Sequence, residues 1–425
     1  MLLSVLVPVY NVESYLIRCL NALISMPITD YEVILVDDGS TDNSSQICNE
    51  YSQQYSQIKV IHQKNKGLVA ARNTALKIAT GKYISFVDSD DWVDSELLPC
   101  LVDELQKNNS VDIAMGNITQ NKDKHSNISY ITQNSCIMSR KQFLKAMLNK
   151  KGLHWYLWGK VYKRKLFDGL TVDDNVTVFE DLDRIWPILK RTNKIIFNNK
   201  YAYHYFMNLN GMTQKRCDLN IASWRVFKRI LLDKPAVNCV KEEMTNFYVQ
   251  VFLRHTLEMY FVDYKKYKFE IKLYIQELKD TLKQAETTQN VMPDEDFNMV
   301  SLDYEHCIKY YDYIFFNLKK SLKELYNNNQ SVYIYGIGVI AQYFAEIMKE
   351  INIYPDAYVV SDGQAKNDYF MKRPVYYFSE IINKSNAIFI LTLSGKAKEI
   401  VLQNLQDNSI NSTQIILPNF PPMIF

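Results

Sequence analysis

Lys82-Tyr83-Ile84-Ser85-Phe86-Val87-Asp88-Ser89-Asp90-Asp91 carries an apolar, strand-like run straight into three carboxylates. A strand ending in acids predicts negative charge at the C-terminal edge of a sheet, where open α/β folds hold their ligands. Carboxylates so close together repel one another unless a cation, a donor network or a raised pKa relieves them. A hard divalent ion with oxygen ligands, shared with a substrate phosphate, is the simplest relief. The same acids would also serve as the acidic cap of a helix beginning near Asp94–Leu97. A second acidic cluster upstream favours the site.

Outward from this run, the first hundred residues alternate strand and helix. Strands are expected at Ser4–Val9, Tyr31–Val36, Ile58–His62 and Tyr83–Val87. Helices fit Glu13–Ser25, Thr41 to Tyr55, Val69–Thr80 and Asp94 to Lys107. This alternation predicts an α/β fold, a mostly parallel sheet flanked by crossover helices. Further on, Val111–Ile118, Lys160–Lys165 and Ile195–Tyr205 read as strands, Arg140–Lys150 as a helix and Asn121–Asn134 as polar loop. Past Asn220 the character changes to helical spacing over Met244–Tyr264, Lys268–Gln284 and Tyr304–Tyr326, with a polar linker at Thr287–Phe297. A fresh strand at Ser331–Tyr335 opens a last α/β stretch.

The totals narrow the function. At 425 residues the chain is too long for one ordinary core. Its 49 basic and 47 acidic residues leave a net charge of +2, which gives no support to a nucleic-acid partner. Seven cysteines are scattered with no Cys-x-x-Cys pair, so neither a zinc site nor a disulfide framework is expected and a reducing cytosol fits best. Met1–Tyr10 is apolar without a basic leader and reads as a first buried strand rather than a signal peptide. No apolar run is long enough to span a bilayer, so a soluble or peripheral protein is expected.

Two further constellations stand at strand ends. Pro8-Val9-Tyr10-Asn11, with Glu13, closes the first strand, and Val36-Asp37-Asp38-Gly39-Ser40-Thr41-Asp42 closes the second. A capped Asp-Gly turn accounts for Gly39 and Ser40, but not for two adjacent acids after a run of apolar residues. An ionised carboxylate there can accept hydrogen bonds from a pyrimidine N–H or a ribose hydroxyl. Asn65-Lys66-Gly67-Leu68-Val69-Ala70-Ala71-Arg72-Asn73 puts a flexible Gly before a helix whose Arg72 can line the pyrophosphate side of a nucleotide pocket. A Gly before a helix is common, and alone it is weak.

Together these segments resemble the nucleotide-sugar-dependent glycosyltransferases of the GT-A fold, specifically family 2. The family's four elements are matched in order by Ser4 to Asn11, Glu32 to Asp42, Asn65 to Asn73 and Gly81 to Asp91, and the resemblance covers roughly the first 215 residues. It implies that Tyr10, Glu13, Asp38 and Asp88 contact the donor nucleoside, with Pro8 and Ser89 in the same motifs and Arg72 near the diphosphate. It implies that Asp90 holds the metal, Mg²⁺ or Mn²⁺, which neutralises charge on the departing nucleoside diphosphate. Transfer with inversion needs a base for the acceptor hydroxyl. The family places an acidic pair where this chain has Glu180-Asp181, with Asp181 the first choice and Glu180 the second. The alternative there is a charged start to a surface helix.

Other candidates belong to the same half. Trp158 resembles a sugar platform and Lys160 a phosphate or acceptor contact, or they are a buried Trp beside a surface Lys. His204 stands where many relatives carry an Arg, either as a metal or diphosphate contact or as a structural His between aromatics. Asp91 faces the sugar or helps to cap the next helix. Farther on, Tyr335-Gly336-Ile337-Gly338 follows a strand and opens a helix, the context of a dinucleotide fingerprint. It resembles small Rossmann-like domains, so Gly336 and Gly338 mark a second nucleotide site or a fold kept for packing, oligomerisation or docking. The expected division is a GT-A domain at 1–220, a helical acceptor-side region at 221–330 and a small Rossmann-like domain at 331–425. Tyr264-Lys265-Lys266-Tyr267-Lys268-Phe269 suits an anionic membrane surface or an ordinary solvated helix face.

The leading expectation is an inverting glycosyltransferase in the cytoplasm, free or peripheral at the inner membrane face. It would move a sugar from a nucleotide-diphosphate donor, a UDP-sugar, to a glycan, lipid-linked or polymer acceptor in bacterial surface polysaccharide or glycoconjugate synthesis. The alternatives are a nucleotidyltransferase, which would need a Gly- and basic-rich loop in the first strand-to-helix turn, and a non-catalytic partner-docking homologue.

Overall fold

The computed structural model describes residues 1–121, 127–129, 134–148, 154–170, 179–206, 221–233 and 237–284, and within 319–416 the strands and some helical residues around a second sheet. The chain divides into two compact units, Met1–Met244 and Thr245–Phe425.

In the first unit, β1 (Leu3–Val9) and β2 (Tyr31–Asp37) are buried at every position. Largely apolar runs of this kind, broken here only by Ser4, Glu32 and Asp37, suit strands covered on both faces, as parallel sheets require. β3 (Ile58–His62) and β4 (Tyr83–Phe86) extend the parallel ladder on either side, giving β3-β2-β1-β4. The crossovers are α1 (Glu13–Ile24), α2 (Ser44–Gln54) and α3 (Leu68–Ile78). α1 buries Leu16, Cys19, Leu20 and Leu23, a stripe at helical spacing. After β5 (Trp92–Val93), α4 (Leu97–Lys107) leads into β6 (Ile113–Asn121). The sheet then turns mixed. β9 (Lys160–Lys163) runs antiparallel to both β4 and β6, and β10 (Lys194–Phe206) runs parallel to β6 and pairs with β5 at the edge. The α/β class expected from the sequence holds, and among the described strands of this sheet the parallel ladders are β3-β2-β1-β4 and β6-β10.

Two local expectations are corrected. Asn121–Asn134, read as loop, contains β7 (Asn127–Ser129), which pairs antiparallel with β6. Three residues, Asn127-Ile128-Ser129, are too few for a period-two pattern to stand out, and the pairing with β6 marks the strand. Met244–Tyr264 and Lys268–Gln284, read as separate helices, are one helix, Lys241–Gln284. Residues 264–270 hold no Gly or Pro to interrupt it. β8 (Cys136–Ser139) precedes the helix α5 (Arg140–Leu148) and pairs with β10.

At the N-terminal edge of the first sheet, away from the acids, motif residues form a buried lock. Glu32 accepts hydrogen bonds from Ser4 Oγ (2.6 Å), Thr80 N–H (2.7 Å) and Thr80 Oγ1 (2.7 Å), and pairs with Lys59 Nζ at 2.6 Å. Burial alone would raise its pKa, but these donors, Lys59 first, hold it at about 2. Ser4 Oγ accepts the Gly81 N–H (2.8 Å), and a Cβ on Gly81 would stand 2.5 Å from Ser4 N, so only Gly fits.

The second unit holds the sheet β13 (Tyr369–Phe370), β14 (Arg373–Tyr377), β12 (Ala357–Val360), β11 (Ser331–Tyr335), β15 (Ala387–Leu391) and β16 (Ile415–Ile416), in that order. All its neighbours are parallel except β13 and β14. Alternate residues of β11 feed two cores, Val332 and Ile334 on one face and Tyr333 and Tyr335 on the other. Gly336 follows β11 at φ 120° and donates its N–H to Val359 O at 2.8 Å. Gly338, residues 287–297 and 304–318, and the side chains of 264–267 lie outside the described residues. Among the described residues no helix is long and apolar enough to cross a membrane.

Candidate active site

β4 ends at Phe86, still paired with Leu6, while β1 runs on to Val9 without it. Their register stops at Leu6↔Phe86, whereas β1 stays paired with β2 as far as Val9↔Asp37. Leu6 O accepts the Val87 N–H (3.1 Å), so Pro8, two residues on, faces the same side, beyond the end of β4. A proline there leaves no donor stranded where its neighbour strand has ended. Tyr10, Asp38 and Asp88 follow the ends of β1, β2 and β4, and Tyr10 is 47% exposed.

The first two turns are zipped together. Asn11, in the left-handed region at φ 50°, donates its N–H to Ser40 Oγ (3.1 Å) and accepts the Thr41 N–H at Oδ1 (2.7 Å). Glu13 N–H donates to Asp42 Oδ2 (3.0 Å), and Asn43 N–H donates to Glu13 Oε2 (2.8 Å). Glu13, expected at the nucleoside, therefore stands as one half of a clasp between turns. Asp38 accepts from Gln63 Nε2 (2.7 Å), Lys66 N–H (2.9 Å) and Gly67 N–H (2.7 Å), and so fixes the loop leading into α3. Asp37 is held by Ser40 N–H (3.0 Å) and His62 Nδ1 (2.9 Å). Burial works against its ionisation, but these partners keep its pKa below the ordinary value.

The three acids of the β4 turn have separate fates. Asp91 is 1% exposed and accepts Tyr203 OH at Oδ2 (2.7 Å) and Phe206 N–H at Oδ1 (2.7 Å). Burial, with Asp90 and Asp88 nearby, pushes its carboxyl well above the usual range. Asp91 is thus turned inward, pegging the turn to β10. Tyr203 OH also accepts the Asp88 N–H (3.1 Å). Ser89 is buried, while Asp88 and Asp90 stay partly exposed at the edge.

Arg72, expected beside a diphosphate, is 2% exposed and joins the acids instead. Its Nη2 lies 2.8 Å from Asp88 Oδ1, and its Nη1 lies 2.7 Å from Asp181 Oδ1 and 3.8 Å from Glu180 Oε1. Burial would lower the guanidinium pKa, but Asp181, Asp88 and Glu180 raise it above its ordinary value. The next residue repeats the tie: Asn73 Oδ1 accepts from Arg184 Nη2 at 2.6 Å. Both contacts seat the first turns of α6 (Glu180–Lys190), which begins after Phe179 in the left-handed region. Burial raises the Asp181 pKa against the pull of Arg72. Burial and the neighbouring Asp181 raise Glu180 to about 7.

The remaining candidates sit to one side. Trp158 is 4% exposed, with Tyr156 stacked at 4.7 Å, Tyr203 at 4.5 Å and Tyr205 at 5.6 Å, and Tyr156 is the more exposed ring of the group. Lys160 is buried, not on the surface, and donates from Nζ to Tyr156 O (2.6 Å). Burial lowers its pKa to about 7, opposed by Asp181. His204 stacks on Trp92 at 4.9 Å, with Nε2 2.8 Å from Asp94 Oδ1. The structure thus brings Arg72, Asp88, Glu180 and Asp181 into one network and leaves Glu13, Asp38 and His204 in local ones. Sequence reasoning missed Tyr203, although it stands in the aromatic run Tyr201–Phe206, and Gln63, which no pattern marks.

Among the described residues no three His, Cys, Asp or Glu side chains cluster to cage a metal ion. Asp88 and Asp90 nevertheless suit a cation of the Mg²⁺ kind, which is held by one or two carboxylates, waters and substrate phosphates.

The family "Glycosyl transferase family 2" matches residues 4–170. The chain is 31% identical over 217 residues to the uncharacterized glycosyltransferase EpsJ of Bacillus subtilis, covering 50% of this chain and 63% of EpsJ, just under two thirds of its length. It is 30% identical over 230 residues to the glycosyltransferase GlyG of Streptococcus pneumoniae, covering 52% of this chain and 76% of GlyG. The crystal structure of S. aureus TarS 1-349 in complex with UDP-GlcNAc superposes with a TM-score of 0.52 at 21% identity, over 67% of this chain and 82% of that one, a likeness of fold. The unequal ends of β1 and β4, the acids beside them and the α3–α6 tie are built from residues inside or beside the matched segment, and the chain belongs to glycosyl transferase family 2.

Proposed function

We propose that the chain binds a nucleotide-diphosphate sugar of the UDP type at the ends of β1, β2 and β4. It then transfers the sugar with inversion to a hydroxyl of a glycan, lipid-linked or polymer acceptor. One observation carries this reading: a single buried guanidinium, Arg72, spans from Asp88 at the donor-side strand end to Asp181 at the start of α6. Donor wall and candidate base are thereby set on the two sides of one rigid link. Membership of family 2 and the UDP-GlcNAc complex of TarS support the donor class.

The exposed ring of Tyr10 and the edge of Asp88 take the nucleoside. Asp90, with Asp88 beside it, would hold Mg²⁺ or Mn²⁺, which when bound would offset charge on the departing diphosphate. Asp181 accepts the proton of the acceptor hydroxyl while that oxygen bonds to the anomeric carbon and the bond from sugar to phosphate breaks. The nucleoside diphosphate leaves with the electron pair. Burial makes Asp181 and Glu180 better bases than free carboxylates, and Arg72 keeps Asp181 aimed.

A panel of nucleotide sugars, tested by thermal stabilisation with and without Mn²⁺, checks the reading. At least one UDP-sugar should raise the Tm more with Mn²⁺ than without, and Asp90→Ala should abolish that increment. An increment untouched by Asp90→Ala would remove Asp90 from the metal, and no response to any donor would remove the site.

A further inference from the structure

We infer that Arg18 is the positioning residue of the metal-binding turn: its guanidinium, clamped between Trp92 and Phe206, fixes the Asp90 peptide and through it the Asp90 carboxylate. This rests on the reading of Asp90 as a metal carboxylate. Arg18 lies on α1, which passes against the acid turn. Its Nη2 donates to Asp90 O at 2.7 Å, and the neighbouring Cys19 Sγ lies 3.8 Å from Asp88 O. Two consecutive helix residues thus meet the carbonyls on either side of Ser89.

The guanidinium is held by ring faces as much as by hydrogen bonds. Its Cζ lies 3.9 Å from the Trp92 ring centroid and 4.6 Å from that of Phe206. Its Nε is buried and finds no hydrogen-bond partner among the described residues. His204 stacks on Trp92 at 4.9 Å and 1°. Tyr15 packs on Phe206 at 5.2 Å. Both clamping rings are themselves bound to the acid turn. Trp92 follows Asp91 directly, and Phe206 N–H donates to Asp91 Oδ1 at 2.7 Å. A planar cation fills such a slot and still reaches the carbonyl, whereas an ammonium on a flexible stem cannot do both.

A rival role is simple charge balance, since Arg18 stands beside Asp90 and Asp91. The two roles differ in sign. A counter-charge competes with a bound cation, so its removal should tighten metal binding. A positioning group supports the ligand, so its removal should weaken it, by about tenfold or more for supports of this kind.

Mn²⁺ binding is titrated by the electron paramagnetic resonance signal of the free ion, for the full chain and for Arg18→Lys, Arg18→Met and Asp90→Asn. Circular dichroism confirms that each is folded. Asp90→Asn should lose the site, and both Arg18 variants should bind Mn²⁺ about tenfold more weakly or worse. UDP binding in EDTA should be unchanged in Arg18→Lys. If Arg18→Met fails to fold, Arg18→Lys alone decides. Wild-type affinity in Arg18→Lys, or tighter binding in Arg18→Met, overturns the inference while Asp90 keeps its role. If Asp90→Asn binds Mn²⁺ as the wild type does, the reading of Asp90 fails and the inference falls with it.

Discussion

Asp181→Asn should lower kcat by about 10²–10⁴-fold while leaving donor binding near that of the wild type, the usual yield of a positioned general base. The amide keeps the shape and can still accept a hydrogen bond from Arg72, so the fold and the donor side are expected to survive. What it cannot do is take a proton. Asp181 is 7% exposed, and its pKa is raised by burial. The residue beside it, Glu180, titrates at about 7. Because the working base must be ionised, and its folded pKa lies above the ordinary carboxylate value, activity should be full at alkaline pH. It should fall along a limb that lies above the ~4 of a free carboxylate, since burial raises Asp181 and Glu180 alike. Glu180→Gln removes one of the two coupled acids and should move that limb to lower pH. Normal turnover in Asp181→Asn, or a profile flat down to pH 5, would take the base away from this pair.

Arg72→Met should destabilise the chain by about 3–5 kcal/mol, the cost of leaving buried acids without their partner. Arg72 is 2% exposed and the side chain of Asp181 10%, so solvent screens this pair little. Asp88, 25% exposed, adds less. The loss should appear as a lower urea midpoint at pH 7.5 and shrink under mildly acidic conditions, where Glu180 and Asp181 take up protons and need the cation less. Arg72→Lys keeps the charge but, as a single ammonium, cannot span Asp88 and Asp181 at once. It should therefore recover part of the stability and little of the turnover. A midpoint equal to wild type in Arg72→Met would show that the three carboxylates do not depend on it.

The sequence carried the strand ends well and the side-chain partners poorly. β1, β2 and β4 were legible because both faces of a parallel strand are largely apolar, and Tyr10-Asn11 after β1 and the acids at the ends of β2 and β4 broke those runs. The fate of each acid was not legible. Asp88, Asp90 and Asp91 look alike in sequence, but Asp91 is buried by Tyr203 and Phe206, which lie more than a hundred residues away. Arg72 was read as a ligand contact because an Arg on a helix after a Gly suits phosphate. Its true neighbours, Asp88 and Asp181, meet it only when α3 and α6 pack. For Trp158 the sequence leaves a sugar platform and a buried ring equally open, and nothing local tells that Tyr156, Tyr203 and Tyr205 stack around it. Arg18 carries no motif at all. It is one polar residue on an amphipathic helix until the turn and β10 close over it.

The central claim, inverting transfer from a nucleotide sugar, is tested most directly by proton NMR. The full chain, Mg²⁺ and each donor that raises its Tm are mixed, and the anomeric signal of the first sugar released or transferred is recorded before mutarotation. From an α-linked UDP-sugar the β anomer should form first, at a rate that collapses in Asp181→Asn. An α anomer as the first product, or donors that bind but are never cleaved, would contradict it.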